Sequence, residues 1–489
     1  MTTAAHPRDD RAFFGHPRGL GLLFLVEMWE RFSYYGMRAL LVLYLVNKLG
    51  WPSGDASTLY GTYTGLVYLT PLIGGYLADR FLGTRRSLVI GGLIISIGHF
   101  TLALPDLAAF YTGLALVIVG TGFFKSNVAS MAGELYAPGD PRRDAGFTIF
   151  YMGINLGGFL APLVCAYLGE RIGWHYGFGA AGVGMLLGLA TYLRYRDRYL
   201  PGIGLAPSPE ARAARDAELA ASASGVSKPW HAMVGALAGF SISLASTGFA
   251  WLSLVMGTII GGGLGIALLG SRGEERKRVI ALFVIVFFAA CFWMAFEQAG
   301  SSMNLFADQH VDRMVGSFEI PTGWFQSVNS MFILLCAPLF AIAWRVLGAR
   351  GREPSTSSKM ALGLFFLGIG FVFLVLAGRV ADAGGKASPL LLIATYLFHT
   401  FGELCLSPVG LSYVTKVAPL RFASLLMGVW YLANAAANKV GGWLAAQTET
   451  ITSSASFFSI PVATSLGSAV LLALLVPLLR RLTASVPDA

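Results

Sequence analysis

The chain has 489 residues, of which 55% are hydrophobic and only 12% charged, about half the charged share of an average soluble protein. A water-soluble fold could not bury that much apolar surface, since single cores stop growing at roughly 250–300 residues, and continuous apolar runs exclude a β-barrel, whose strands are about ten residues long and alternate. The net charge of +9 comes without zinc-finger spacing, a basic region or an RNA-binding signature, so no nucleic-acid partner is expected and the excess reads as loop charge on one side of a lipid bilayer.

The N-terminal stretch MTTAAHPRDDRAFFGHPRG is polar, contains Asp9 and Asp10, and lacks the pattern of a signal peptide. It reads as a short cytoplasmic tail. Apolar segments follow at about 20–48, 56–80, 87–105, 108–132, 144–169, 174–194, 230–248, 250–270, 279–305, 321–345, 359–379, 389–414, 422–446 and 455–479. These predict an all-α integral membrane protein with 14 transmembrane helices. The seventh and eighth segments meet at Ala250 with little polar sequence between them. As one helix they would be about 60 Å long, twice the hydrocarbon thickness, so two helices are expected.

Charge sets the orientation. With the N-terminus inside, the inside loops hold about twenty basic residues, among them Arg85, Arg86, Arg142, Arg143, Arg196, Arg198, Arg276, Lys277 and Arg278. The outside loops hold Lys48, Arg171, Arg313, Arg379 and Lys386. Both termini are therefore expected in the cytoplasm. The Ala-, Ser- and Pro-rich stretch 199–229 is a cytoplasmic linker, with a short helix possible at Pro209–Ala221. It separates a six-helix bundle, 1–198, from two inserted helices, 230–270, and a second six-helix bundle, 271–489. The bundles echo each other: each places Ala-Pro in a loop, then a Gly, an aromatic pair (Phe150-Tyr151; Trp430-Tyr431) and an Asn (Asn155; Asn434). That pattern suggests a duplicated transporter with its site between the repeats.

The first span holds Glu27, Glu30, Arg31 and Arg38. A charge at a helix centre costs about 2.5–3.5 kcal/mol on insertion scales, and a dozen large apolar residues at about 0.3–0.6 kcal/mol each cannot offset four of them. Positions 27, 30, 31, 34 and 38 step by three or four, so they share one helical face with Tyr34, and Tyr35 beside it. That face must meet an aqueous cavity or charged partners. The competing reading is a buried salt-bridge cluster that fixes helix packing.

Lys125, Glu297, Glu403 and Lys439 are further charges within spans. Lys439 either lines the pathway or snorkels to a helix end. Tyr34, Tyr35, Tyr68, Trp293 and Trp430 either line subpockets or pack helices. Asn155 and Asn329 either bind a substrate backbone or join helices. Cys165, Cys291, Cys336 and Cys405 lie in apolar segments without a CxxC pair and read as buried hydrophobes. The histidines do not cluster with carboxylates, and there is no Walker A motif, nucleophile elbow or HExxH. No metal site, no cofactor and no enzymatic activity are expected.

The run Glu27-Met-Trp-Glu30-Arg31-Phe32-Ser-Tyr34-Tyr35-Gly36 resembles the ExxERFxYYG motif of proton-dependent oligopeptide transporters, a family of the major facilitator superfamily. TPLIGGYLADRFLGTRR, FYMGINLGG, FWMAFEQAGSS, FQSVNSMFI and GELCLSPVGLSYVTKVAP are similar to its signatures in the second, fifth, seventh, eighth and tenth helices. The resemblance spans almost the whole chain, and the two inserted helices are similar to those of bacterial members. There are departures. Lys125 is followed by Ser126 where the family often has Pro, Asn329 by Ser330 where Pro is common, Tyr431 stands where Phe is frequent, and Gly61 lies where animal members carry a His.

The resemblance implies import of di- and tripeptides with protons as the coupling ion. It implies that Arg38 and Lys125 hold the peptide carboxylate and that Glu403 meets the ammonium. Asn155 and Asn329 would bind backbone or terminal groups, and Tyr34, Tyr35, Tyr68, Trp293 and Trp430 would shape side-chain pockets. Proton coupling would fall to Glu27, Glu30, Arg31, Lys125 and Glu297. A monomer in the lipid bilayer of a bacterial inner membrane follows. Two other readings are an anion carrier, for nitrate for example, and a membrane-embedded enzyme or receptor. Glu403 discriminates against the first, since an anion has no ammonium to pair with it, and the lack of a catalytic constellation or large extramembrane domain argues against the second.

Overall fold

Helix starts in this chain follow local chemistry. Asp106, Ser355 and Ser453 each accept a backbone N–H from three residues on, and Ser388 precedes a proline at the first helical position. The computed structural model describes residues 10–137, 139–210, 212–213, 217, 229–247, 251–419 and 422–486. The first six helices are α1 (Arg18–Leu43), α2 (Ser53–Leu77), α3 (Thr84–Leu102), α4 (Leu107–Glu134), α5 (Arg143–Tyr167) and α6 (Trp174–Tyr199). Then come α7 (Pro229–Thr247) and α8 (Trp251–Gly270). The last group is α9 (Gly273–Phe296), α10 (Ser302–His310), α11 (Phe325–Ala349), α12 (Thr356–Asp382), α13 (Pro389–Val417), α14 (Ala423–Ala446) and α15 (Ser454–Leu482). Among the described residues the only strands are β1 (Met314–Val315) and β2 (Phe318–Glu319), an antiparallel pair with Met314 opposite Glu319.

Among the described residues, eight helical segments are long and apolar enough to cross a membrane by their own composition: α4, α5, α6, the α9–α10 pair, α11, α12, the first part of α13, and α15. α1, with its four charges, is not one of them. The seventh and eighth apolar segments form two helices, not one. They run antiparallel, because Gly235 faces Gly261 and Gly265 while Gly239 faces Gly257. The junction at Ala250 and most of the helix expected at Pro209–Ala221 lie outside the described residues.

Apolar burial divides along the chain. Two clusters are built mainly from α1–α6, the N-terminal half, centred on residues such as Leu40, Phe110 and Phe178, and on Leu23, Phe124 and Met185. A larger one is built from α8–α15, around Phe288, Phe371 and Leu472, mainly in the C-terminal half, α9–α15. The halves meet through α2 against α14 and α5 against α11. At the first junction the backbones nearly touch: a Cβ on Gly61 would lie 2.7 Å from Cα of Gly442, the close approach that glycine permits between membrane helices. At the far ends of α1, α2 and α5, polar bonds tie the halves. Asn47 donates to Asp308 at 2.9 Å, the N–H of Gly54 to Glu449 at 2.7 Å, and the indole of Trp324 to the carbonyl of Leu163 at 3.0 Å.

Candidate functional site

Three and four residues bring successive side chains back to one face of a helix, and on α1 that face is buried, not lipid-exposed. Glu27, Glu30, Arg31, Tyr34 and Arg38 are all at most 6% exposed. Arg31 donates to Glu30 through Nε and also through Nη2 at 2.6 Å, and its Nε lies 3.3 Å from Oε1 of Glu27. The other Glu27 oxygen is buried without a hydrogen-bond partner. Two acids thus face one base, and the three together reach neutrality only with one more proton or cation.

Two turns along, Arg38 reaches out of the N-terminal half. Its Nη2 is 2.7 Å from Oε2 of Glu297, its Nε donates to the Tyr60 hydroxyl at 2.6 Å, and its guanidinium carbon lies 5.7 Å from the Tyr35 ring centre. Glu297 opens a short 3-10 turn, Glu297–Gly300, that interrupts the helix between α9 and α10. The absence of a side chain at Gly300 allows the approach: a Cβ there would lie 1.9 Å from Oη of Tyr60 and 2.9 Å from Nε of Arg38. Lys125 on α4 is half-buried and places its ammonium 3.8 Å from the centre of the Tyr68 ring, a cation–π contact. No ion pair is recorded for Lys125 among the described residues.

On the facing side, Glu403 of α13 has only neutral hydrogen-bond partners among the described residues. Nδ2 of Asn329 lies 3.1 Å from its Oε2 and 3.0 Å from Oγ1 of Thr400, and the Tyr151 hydroxyl reaches its Oε1 at a long 3.4 Å. A cavity lined by Tyr35, Arg38, Phe296, Gln326, Asn329 and His399, among others, reaches Arg38 of the ion pair and Asn329, the partner of this acid. Its volume is about 20 Å³, room for about one water.

This is a constellation of buried, opposed charges at the junction of two helical halves. A family model described as the POT family matches residues 85–462. The chain belongs to the POT family. It is 38% identical to the peptide transporter YePEPT of Yersinia enterocolitica, covering 98% of both chains. It is 35% identical to a di-/tripeptide transporter of Lactococcus lactis subsp. cremoris, covering 88% of this chain and 90% of the relative. A crystal structure of a mutant peptide transporter POT in complex with alafosfalin superposes with a TM-score of 0.80 at 38% identity, covering 97% of both chains. This POT-family chain is therefore a multi-pass membrane transporter and not an enzyme.

The other expected site residues of this POT member are placed as follows. Tyr34 is buried with its ring 5.2 Å from the Arg31 guanidinium carbon. Asn155 donates to the carbonyl of Tyr151 in its own helix at 3.0 Å. Trp293 packs on Phe292 and Phe296, and its indole N–H has no hydrogen-bond partner among the described residues. Trp430 is buried in the core of the C-terminal half, against Gly410.

Sequence reasoning missed Tyr60 and Tyr151 as partners of the charges and Thr400 as the partner of Asn329. Tyr151 carried a signal, since it lies one turn before Asn155 in the echoed motif. Tyr60 and Thr400 carried none, because a lone phenol or hydroxyl in a span is ordinary. Among the described residues, no three His, Cys, Asp or Glu side chains are grouped to hold a metal.

Proposed function

We propose that this chain is a proton-coupled symporter that imports di- and tripeptides by alternating access, with the peptide held between the two halves. The observation that carries the reading is the pairing of a base in one half with an acid in the other, Arg38 with Glu297 at 2.7 Å, beside a second acid, Glu403, whose partners among the described residues are neutral. A zwitterionic peptide supplies the missing charges: a carboxylate for Arg38 and Lys125, and an ammonium for Glu403. Protonating Glu297 releases Arg38 to the carboxylate, which links proton and peptide without a bond between them. Asn155 and Asn329 serve backbone groups, and Tyr34, Tyr35, Tyr68, Trp293 and Trp430 shape the side-chain pockets. Glu27, Glu30, Arg31 and Lys125 relay the proton with Glu297.

In this reading fourteen helices cross the bacterial inner membrane, with both termini cytoplasmic. Residues 1–198 and 271–489 form the two bundles of a major facilitator fold, joined by the linker 199–229 and the inserted pair 230–270. The bonds at the far ends of α1, α2 and α5 then close the outer side. A cavity of about 20 Å³ is too small for a peptide, so the halves must part to admit one. The transporter works as a monomer without a cofactor. The test is uptake of dialanine into liposomes carrying the purified protein, with and without an inward proton gradient at matched membrane potential. Accumulation that collapses with a protonophore is expected. Folded protein that takes up neither dialanine nor trialanine but does take up nitrate would replace this reading with anion transport.

A further inference from the structure

α7 and α8 spend much of their small-residue surface on each other. A Cβ on Gly235 would lie 2.1 Å from the carbonyl oxygen of Gly261, and one on Gly239 would lie 2.0 Å from that of Gly257. Their packing on the C-terminal half is looser. It leaves a groove of about 550 Å³ bounded by α7, α8, Phe283 of α9, and Ala436, Lys439 and Val440 of α14. That volume falls in the range of ligand pockets, roughly 300–1,000 Å³. Apart from Ser243 and Lys439, every side chain lining it is apolar or absent.

Lys439 is the informative residue. It lies seven positions before the end of α14, so about 10 Å inside that end. Its ammonium donates to the Thr62 hydroxyl on α2 at 2.6 Å, a neutral partner. No ion pair is recorded for it among the described residues. A lysine at that depth is costly unless it snorkels toward the interface or finds an anion. Here a cation whose partner among the described residues is neutral lines an apolar groove.

We propose that this groove binds an anionic glycerophospholipid, with an acyl chain lying along α8 and the phosphate drawn to Lys439. Charge complementarity selects the occupant: a neutral hydrocarbon would fill the groove equally well but would leave the ammonium uncompensated. The inserted helix pair then serves as one wall of a lipid site outside the transport pathway. Binding at this site does not depend on the substrate reading, because the readout below involves no transport.

The test uses the full-length protein in nanodiscs of phosphatidylcholine with graded phosphatidylglycerol. Native mass spectrometry counts retained lipid, and thermal denaturation gives the stabilising increment. The wild type is expected to retain phosphatidylglycerol over phosphatidylcholine and to melt higher as it is added. Lys439→Gln should weaken that preference roughly fivefold, the effect of one basic residue near an anionic surface. Lys439→Arg should keep it. Ile260→Trp, which fills the groove, should lower retention with Lys439 intact. An unchanged phosphatidylglycerol preference in Lys439→Gln overturns the proposal, as does full retention in Ile260→Trp or a wild type that retains both lipids equally.

Discussion

Arg38 and Glu297 are 259 positions apart in sequence, yet their side chains meet at 2.7 Å across the junction of the two halves. Both are more than nine-tenths buried. Removing one partner of such a pair leaves a buried charge uncompensated, at a cost of about 3–5 kcal/mol. Protonation of Glu297 has the same local effect as Glu297→Gln: the negative charge goes and Arg38 is left seeking an anion. The variant should therefore lose gradient-driven accumulation of dialanine while retaining exchange between equal pools. Liposome counterflow beside proton-driven uptake measures both. If Glu297→Gln still accumulates peptide, Glu297 does not carry the coupled proton. Arg38→Gln should lose both activities.

Glu403 invites a different experiment, because its recorded partners are all neutral. If it receives the peptide ammonium, Glu403→Gln removes half of a buried charge pair. Such losses typically cost about 2–5 kcal/mol, at least roughly 30-fold in KM. N-acetylated dialanine lacks the ammonium, so its weak uptake should be the same in the wild type and the variant. Uptake of both substrates reduced by the same factor would show that Glu403 acts on structure and not on the ammonium.

Gly300 is a prediction about space. A Cβ at this position would meet Oη of Tyr60 at 1.9 Å and Arg38 Nε at 2.9 Å. Tyr60 is 2% exposed and cannot swing away freely. Gly300→Ala should therefore displace the phenol from Arg38 and cost about 1–3 kcal/mol of stability through overpacking. Tyr60→Phe removes the hydrogen bond from the charged Arg38 alone and should cost about 1.5–3 kcal/mol. Thermal unfolding in detergent ranks the two, and a melting temperature for Gly300→Ala equal to the wild type would contradict the crowding.

Asp140 serves as a control on pH dependence. Hydrogen bonds from the side chain and backbone of Arg142 hold its carboxyl at about 2, below the ordinary value of 3.8. A depressed carboxyl contributes its stabilisation above its unfolded value and loses it as pH falls through about 2. With its carboxyl held at about 2, Asp140 stays charged throughout about pH 5–8. Asp140→Asn should leave the pH profile of dialanine uptake unmoved. A shifted profile would assign coupling to a loop residue and undercut the role given to the α1 acids.

The helices were legible in the sequence because long apolar runs have few other uses, and the α1 charges because they are misplaced in such a run. The contact of Arg31 with Glu27 agrees with their four-residue spacing, whereas the contact of Arg31 with its chain neighbour Glu30 is one that spacing does not express. What spacing could not express was contact between halves. Nothing local to Tyr60 says that it bonds Arg38, and nothing local to Tyr151 says that it reaches Glu403, 252 residues away. The 3-10 turn at Glu297–Gly300 was also hidden, since a glycine in a membrane helix is ordinary. All fourteen spans were read as apolar runs, and among the described residues eight helical segments are long and apolar enough to cross a membrane.

Glu170 provides the last prediction, at the junction that the proposed orientation places on the outer side. Its carboxylate accepts the N–H of Thr322 at 2.7 Å and of Gly323 at 2.8 Å, the first two residues of the turn that leads into α11. An acid at the end of α5 thus caps the start of a helix in the other half. Beside it, a Cβ on Gly323 would lie 2.5 Å from Cβ of Ala166, so the seal is tight. Losing a cap costs about 0.5–2 kcal/mol. Because this cap spans the halves, the loss falls on the equilibrium between closed and open outer sides more than on either half's fold. Glu170→Ala should raise the outer-open population roughly two- to thirtyfold. The neighbouring Arg171–Glu319 pair, at 3.1 Å and more exposed, belongs to the class worth about 0–1 kcal/mol, so Glu319→Gln should shift the same population less. Spin-label distances between the outer ends of α5 and α11 read both shifts, and equal distributions in wild type and Glu170→Ala would exclude the cap from the gate.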